Sequence, residues 1–565
     1  MKTWLKNKVQ ELYPGVDFDV LIPPDEKLGD YSINLPFVLA KKEKKNPAEV
    51  GKEIIAKLSD DRGFIKNFDK VELAGGGFVN FYFSQEFLQK KLAEINSDKN
   101  YGKSAEGKDK KVIVEYSSPN IAKPMHIGHL RSTIIGDSLA NVYENLGYEV
   151  IRWNFIGDWG TQFGKLIAAY KKWGDEKALK TEPIKEMLRL YVKFHEEMKD
   201  NPELEKEGQE EFKKLEGGDK ENKKIWQLFR EDSLKEFSNT YTQLGMDIWS
   251  RNFKIRGESD YEIKLKDIIN DLEKKGLAKE SEGALIIELE NIPPAMLRKS
   301  DGATLYITRD IASLEDRIQN YDPAKILYVV ANQQALHFEQ LFAIAKKLGW
   351  IKTELTHVKF GMVLGEDGKK LATREGKVVP LQEVMDKLNA LALNTVKEKN
   401  SNLGEKDAEK IAKAVSIGAL KYNDLKQHPY SDITFDWKAM LDLSGNSGPY
   451  VQYTYARLAS ILNKAGNRQE ADLALLAEPA SRALMRHLLD FPEAISDCAK
   501  FNTLNGLALY LYELAHRANQ FYEQVRILED DNHKRLSARL LLIETTASIL
   551  QRGLNLLGIE TLERI

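Results

Sequence analysis

The chain of 565 residues has a single cysteine, Cys498. One thiol excludes an internal disulfide framework and any zinc site built from several thiolates, so no zinc is expected. Nowhere do about 18 apolar residues run together, and residues 1–15 lack the apolar core of a secretory leader. The expectation is a soluble, cytoplasmic protein without membrane contact. An excess of charge is also missing: 83 Lys and Arg stand against 86 Asp and Glu, a formal net charge of −3. Composition therefore argues no affinity for nucleic acid, and any RNA contact has to come from local basic patches. No internal repeat is visible. What the chain has in quantity is apolar substance, 42% of its residues, enough at this length for three or more domains with their own cores.

The most informative stretch is residues 111–145, KVIVEYSSPNIAKPMHIGHLRSTIIGDSLANVYEN. Residues 111–117 are a β-branched run of strand length, and Ser118-Pro119-Asn120 is turn chemistry. Residues 130–146 carry apolar side chains at helical spacing, with Gly147 as a stop. A strand, a turn and a helix in that order, within an open α/β sheet, mark the place where a ligand phosphate meets the free N–H groups and positive dipole of a helix N-terminus. His126 and His129 lie one helical turn apart there. Gly128 between them has no Cβ, which leaves room for a flat ring against the backbone. Taken alone, the pair is equally the start of a helix with solvated or hydrogen-bonded histidines.

Context narrows the choice. His126-Ile127-Gly128-His129 after Ser118-Pro119-Asn120 resembles the first signature of class I aminoacyl-tRNA synthetases, whose histidines hold ATP phosphates during adenylate formation. Residues 115–137, with Asn120-Ile121-Ala122-Lys123-Pro124 before the signature and Leu130-Arg131-Ser132-Thr133 after it, resemble arginyl-tRNA synthetases in particular. Asn154-Phe155-Ile156-Gly157-Asp158-Trp159-Gly160 is similar to the same family's continuation. The resemblance implies a multidomain α/β protein. Its parts would be a class I Rossmann-like catalytic domain with a parallel sheet, a small α+β N-terminal domain and an all-α C-terminal anticodon-binding bundle.

Residues 1–98 open with an amphipathic helix bearing Trp4, Leu5, Val9 and Leu12. A second helix is predicted at Asn46-Pro47-Ala48-Glu49, with Asn as N-cap, Pro at N1 and Glu at N3. Val71 and Leu73, then Val79, Phe81 and Phe83, alternate around Gly75-Gly76-Gly77 and predict a β-hairpin. Resemblance of Gly29-Asp30-Tyr31-Ser32 and Gly76-Gly77-Phe78-Val79 to the family's extra N-terminal domain implies contact with the tRNA elbow. Residues 99–110 are a polar linker. The catalytic domain is expected over residues 111–390, with a charged helical insertion near 171–245 whose mixed signs read as solvated helix faces. Residues 391–565 are expected to form the anticodon-binding domain. There Ile411, Val415, Gly418 and Tyr422 share one helical face, and Val451, Tyr455, Leu458 and Leu462 another.

Farther along, Tyr306 and Asp310 precede a helix expected from near Ile311. Residues 325–330 form an apolar strand, and Gln334 and His337 fall at the start of the next helix. On their own, Tyr306 and Asp310 read as a surface hydrogen bond and a helix cap. An arginine side chain, however, offers five N–H donors in a rigid planar fork, so a pocket for it needs carboxylates presented in plane. Tyr306-Ile307-Thr308-Arg309-Asp310 matches the family's guanidinium-binding element. By that resemblance Tyr306 and Asp310 take the guanidinium and Glu115 supplies the second carboxylate. Asn120 binds the α-amino group, Gln334 closes the amino-acid pocket and His337 lies on the ATP side. Residues 357–365 predict another strand, followed by the glycine-flanked basic loop of residues 366–376, either a solvated turn or a clamp for the charge on pyrophosphate. It aligns loosely with the second class I signature. Lys370 holds the first position and Thr373 stands where the catalytic lysine is usual, and Lys123 is implied to supply the missing charge.

The implied function is that of an arginine–tRNA ligase working as a monomer on arginine, ATP with Mg²⁺ and tRNA(Arg), with no metal held by the protein itself. Lys123, His126, His129 and Lys370 are the expected catalytic residues, and His126, Gly128, His129, His337 and Lys370 the ATP-binding ones. One rival is a synthetase for another amino acid, cysteine being nearest in architecture. The single cysteine leaves no zinc to read a thiol, and Asp310 with Glu115 suits a cation. The other rival is a non-catalytic tRNA-binding paralogue, which the intact first signature opposes and Thr373 weakly favours.

Overall fold

The computed structural model describes residues 1–246, 248, 251–300, 302–365, 367–369, 371, 379–400, 402–466 and 469–564. Its centre is a parallel sheet of β1 (Lys111–Glu115), β2 (Glu149–Ile156), β3 (Phe253–Gly257), β4 (Lys325–Ala331) and β5 (Glu354–Phe360), in the order β5-β4-β1-β2-β3. Val112, Ile113 and Val114 are completely buried, as the middle strand of a sheet covered on both faces requires. Five helices matter most to the site: α1 (Ile127–Asn145), α2 (Lys220–Gln243), α3 (Tyr306–Tyr321), α4 (Ala335–Lys347) and α5 (Glu405–Leu425). The chain leaves β1 through α1 to β2 on one side, while β4 lies on the other side of β1. The crevice beyond the C-terminal ends of β1 and β4 is therefore the topological switch point, where open α/β sheets bind ligands.

Helix α1 starts at Ile127, earlier than its apolar spacing suggests, because His126 serves as N-cap. It is buried along most of its length, and Gly136 lets it approach β1's continuation. A Cβ there would lie 2.2 Å from Tyr116 Cβ. Helix α3 likewise starts five residues ahead of Ile311, with Tyr306 as its first residue. The predicted strand near residue 357 is divided into β5 and a short piece, Val363–Leu364, which pairs in parallel with Ile433–Thr434.

The charged insertion is a helical layer whose inner faces join the main hydrophobic core. Met187, Leu190 and Phe194 of helix Pro183–Asp200 are fully buried, as is Phe229 of α2. Only the outer faces of its helices are solvated. The N-terminal part pairs Phe68–Ala74 with Phe78–Phe83 as a hairpin in a four-stranded antiparallel sheet. Its second predicted helix, Pro47–Asp60, begins as expected, with Asn46 Oδ1 accepting from the Ala48 N–H at 2.8 Å. The C-terminal helices begin with Leu381–Lys399, ten residues before position 391, and run through Gly448–Lys464 to His533–Leu556. Gly418 and Gly448 allow two of them to touch, since a Cβ at 448 would lie 2.5 Å from Gly418 O. A cavity of about 600 Å³ opens between the N-terminal part and these helices, and none of the predicted site residues lines it. Among the described residues no helix is long and apolar enough to cross a membrane.

Candidate active site

The loop from β1 to α1 is held in strained form. Ser117 and Ala122 have φ of +52° and +63°, a region that L-residues keep only when their surroundings over-determine it. Here the determinants are buried hydroxyls. Ser117 Oγ lies 2.6 Å from Thr133 Oγ1 and 2.9 Å from the Tyr241 hydroxyl, and the Ala122 N–H donates to Ser233 Oγ at 2.9 Å. Tyr241 and Ser233 belong to α2, so the insertion braces the loop.

At the end of that loop the two signature histidines stack, ring centroids 3.8 Å apart. His126 Nδ1 accepts from the Gly128 N–H and His129 Nδ1 accepts from the His126 N–H, both at 3.1 Å. A neutral imidazole whose Nδ1 accepts carries its hydrogen on Nε2, so each ring is an Nε2–H donor. Burial, helped by the neighbouring His126, lowers His129 to about 3 and keeps it neutral. The space over Gly128 is taken by His126 itself, since a Cβ would lie 2.9 Å from His126 Cε1. The glycine thus serves the histidine cap.

Asn120 extends the sheet edge beside β2. The Gly157 N–H donates to Pro119 O and the Ile121 N–H to Gly157 O, both at 3.1 Å. A Cβ on Gly157 would fall 1.8 Å from Asn120 Oδ1, so the exposed amide rests where only glycine leaves room. The next residue, buried Asp158, is structural. It accepts from Arg230 Nε, Ser259 N and Ser259 Oγ, each at 2.9 Å, and so ties β2 to α2 and to the turn after β3.

Across the crevice α3 presents Asp310 and Arg317, seven residues and two turns apart on one stripe. Asp310 Oδ2 lies 2.6 Å from His337 Nε2 in the first turn of α4. Burial disfavours charge on His337, but the Asp310 hydrogen bond and the Asp310 and Glu115 charges outweigh it and raise its pKa. Arg317 is buried and pairs with Glu115, while its guanidinium sits 4.6 Å from the Trp153 ring centroid and 5.3 Å from that of Tyr328. Trp153 and Tyr328 are the residues beside Glu115 on β2 and β4, so this cation spans three strands. Burial pushes the Glu115 carboxyl up, against the pull of Arg317 and with Asp310 adding to it.

The structure thus joins His126, Gly128 and His129 in one cap, and links Glu115, Asp310 and His337 in one acidic pocket. Tyr306 is 64% exposed at the head of α3, and Gln334 is exposed just after β4. The hydrogen bond of His337 is to the carboxylate of Asp310. Lys123 turns to the insertion, its Nζ 4.2 Å from the Tyr191 ring centroid. Lys370 and Thr373 lie outside the described residues. No group of three or more His, Cys, Asp or Glu side chains among the described residues is arranged to hold a metal ion.

Two residues escape a reading of the sequence. Arg317 is signalled only by its spacing from Asp310. Glu258 follows β3 at the same sheet edge, and its carboxylate makes no hydrogen bond or ion pair among the described residues. Burial pushes its carboxyl up to about 8, against Arg309 and reinforced by Asp310, Asp158 and Glu262.

Comparison with known proteins bears on this geometry. Residues 91–437 match the catalytic domain of class I tRNA synthetases of the arginine type. Residues 1–83 match the N-terminal domain of arginyl-tRNA synthetases, and residues 451–565 the DALR anticodon-binding domain. Arginine–tRNA ligase 2 of Bacillus anthracis is 44% identical over 548 residues, 96% of this chain and 95% of that protein. The arginine–tRNA ligase of Enterococcus faecalis is 44% identical over 94% of this chain and 92% of its own length. Among solved structures, arginyl-tRNA synthetase of Plasmodium falciparum superposes over 100% of this chain and 98% of its own, with a TM-score of 0.83 at 29% identity. That of Thermus thermophilus gives 0.83 at 27%, covering all of both chains. With its three parts matched in order and relatives aligned along nearly the whole length, the chain belongs to the arginyl-tRNA synthetases.

Proposed function

We propose that this protein activates arginine with ATP to arginyl-adenylate and transfers the arginyl group to the 3′-terminal adenosine of tRNA(Arg). What carries the reading is the meeting, at one switch point, of a helix N-terminus bearing two neutral imidazole donors with a carboxylate pocket containing Asp310. A triphosphate and a guanidinium are the two chemistries that such a pair of neighbouring sites suits. ATP enters as its magnesium complex. The arginine carboxylate attacks the α-phosphorus in line, the bond to the bridging oxygen breaks, and its electron pair leaves with pyrophosphate. A ribose hydroxyl, the 2′ one by the family's class, then attacks the acyl carbon and AMP departs. Neither step needs a protein nucleophile, so the residues work by placement and charge.

In this reading the Nε2–H groups of His126 and His129 meet phosphate oxygens, and Lys123 and Lys370 add positive charge around the leaving pyrophosphate. Asp310 and Glu258 face the guanidinium fork. Glu115 stays in the pocket, its charge shared with Arg317. Tyr306 and Gln334 close the pocket, Asn120 takes the α-amino group, and His337 links Asp310 to the ATP side. Residues 1–98 contact the tRNA elbow and residues 391–565 the anticodon arm, in a cytoplasmic monomer. The test is charging of total tRNA with each of the amino acids, alongside ATP–pyrophosphate exchange with tRNA present. Arginine-specific charging is expected. Binding of tRNA without exchange or charging would instead mark a non-catalytic paralogue.

A further inference from the structure

Lys123 stands three residues before the signature, and the structure holds its cation in an unusual way. Among the described residues it makes no ion pair, and its Nζ lies 4.2 Å from the centroid of Tyr191. Tyr191 is on helix Pro183–Asp200 of the insertion, where its ring lies 4.2 Å from that of His195 and its carbonyl oxygen is 2.8 Å from His195 Nδ1. The preceding residue, Ala122, is one of the two strained residues of the loop, and it too is fastened to the insertion, through buried Ser233. Two consecutive residues before the histidine cap are thus positioned by helices of the insertion.

The choice of an aromatic partner has a physical consequence. A carboxylate would hold the ammonium more tightly but cancel its charge. A ring face attracts the cation by its quadrupole, for about 0.5–1 kcal/mol at an exposed site, and leaves the charge uncompensated. An ammonium kept that way is confined near the phosphate site without being neutralised, and an incoming triphosphate can draw it off at little cost.

We propose that Tyr191 is a positioning residue for Lys123, so that the helical insertion supplies part of the catalytic electrostatics. The inference rests on the reading of Lys123 as a charge acting at pyrophosphate, and the experiment separates the two. Tyr191→Leu, Tyr191→Phe and Lys123→Met are compared with the double variant Tyr191→Leu/Lys123→Met in the full-length protein, by tRNA-dependent ATP–pyrophosphate exchange. Tyr191→Leu is expected to lower kcat/KM for ATP about two- to fivefold, the worth of a cation–ring contact, with the KM for arginine little changed. Tyr191→Phe, which keeps the ring, restores the wild-type value. In the Lys123→Met background Tyr191→Leu has no further effect, because its partner is already gone. A thermal melt of each variant checks folding, and equal losses in the leucine and phenylalanine variants overturn the proposal. So does a Tyr191→Leu loss that persists undiminished in the Lys123→Met background. If Lys123→Met exchanges like wild type, the reading of Lys123 itself fails. If Lys123→Met is defective while Tyr191→Leu is normal, only the positioning role falls.

Discussion

In the proposed function Asp310 carries the charge that an arginine pocket cannot do without, and the only hydrogen-bonded partner of its carboxylate among the described residues is His337. Asp310→Asn replaces an anion with a neutral amide that presents a donor toward another donor. Removing one partner of a close charge pair costs about 2–5 kcal/mol, so the KM for arginine should rise at least about thirtyfold. The KM for ATP should hardly move. An unchanged preference for arginine over lysine in that variant would remove Asp310 from the pocket. Glu258 makes a second, pH-dependent prediction. Its folded carboxyl titrates at about 8, above the ordinary carboxylate range. A guanidinium favours the ionised form, so arginine binding expels a proton below that value, and the KM for arginine should fall as pH rises toward about 8. Stability runs the other way. The folded state holds this proton more tightly than the unfolded one, so the contribution is full below the ordinary carboxylate range and declines as pH rises through about 8. Glu258→Gln should flatten the arginine KM profile, and a profile that keeps its slope in this variant would place the titrating group elsewhere.

At the scale of elements, two glycines decide where the side chains of His126 and Asn120 rest. In Gly128→Ala the new Cβ falls 2.9 Å from His126 Cε1, and in Gly157→Ala it falls 1.8 Å from Asn120 Oδ1. Each forces its neighbour aside, and overpacking of this kind costs about 1–3 kcal/mol of stability. The kinetic signatures should differ. Gly128→Ala disturbs the imidazole donors at the head of α1 and should depress kcat for pyrophosphate exchange. Gly157→Ala displaces the amide beside β2 and should raise the KM for arginine. Identical changes in both variants would mean that the two glycines act through a common loss of folding. The strand, turn and helix of residues 111–145 were legible because strand length, turn residues and helical spacing are local signals. The true starts of α1 and α3 were not. A histidine caps the first and Leu305 precedes the second, neither of which belongs to the usual N-cap residues.

On the scale of the whole molecule, α1 joins the catalytic sheet to the C-terminal helices. Arg131 on α1 donates to Asp424 Oδ2 on α5 at 3.0 Å and to Ser431 O at 2.8 Å. The Tyr143 hydroxyl donates to Asn502 Oδ1 at 2.8 Å, in the C-terminal helices. The N-terminal part is docked on those helices through Asp30, which pairs with Arg482 at 2.8 Å and Arg486 at 3.5 Å, beside the Tyr31–Asp490 hydrogen bond. Asp30→Ala leaves Arg482 without its anion, while Arg486 keeps Asp490 at 2.6 Å, and breaking such a pair typically costs about 3–5 kcal/mol when the site is buried. We expect faster tryptic cleavage in the linker, at Lys99, Lys103, Lys108 or Lys110, and a higher KM for tRNA. The KM values for ATP and arginine should stay near wild type. Linker cleavage at the wild-type rate would show that other contacts suffice to hold this part in place.

By itself the sequence determined the class of fold, because a buried parallel strand must be β-branched, a phosphate-type turn must be small and polar, and an amphipathic helix must repeat its apolar residues. It also carried the motifs of the family. Tertiary structure alone decided which charges are already answered. Glu115 meets Arg317, 202 positions away by number, and Lys123 meets a ring on the insertion rather than an acid. Such pairings depend on how helices cross a sheet and how deeply each charge is buried, and neither quantity has a local signature in the chain.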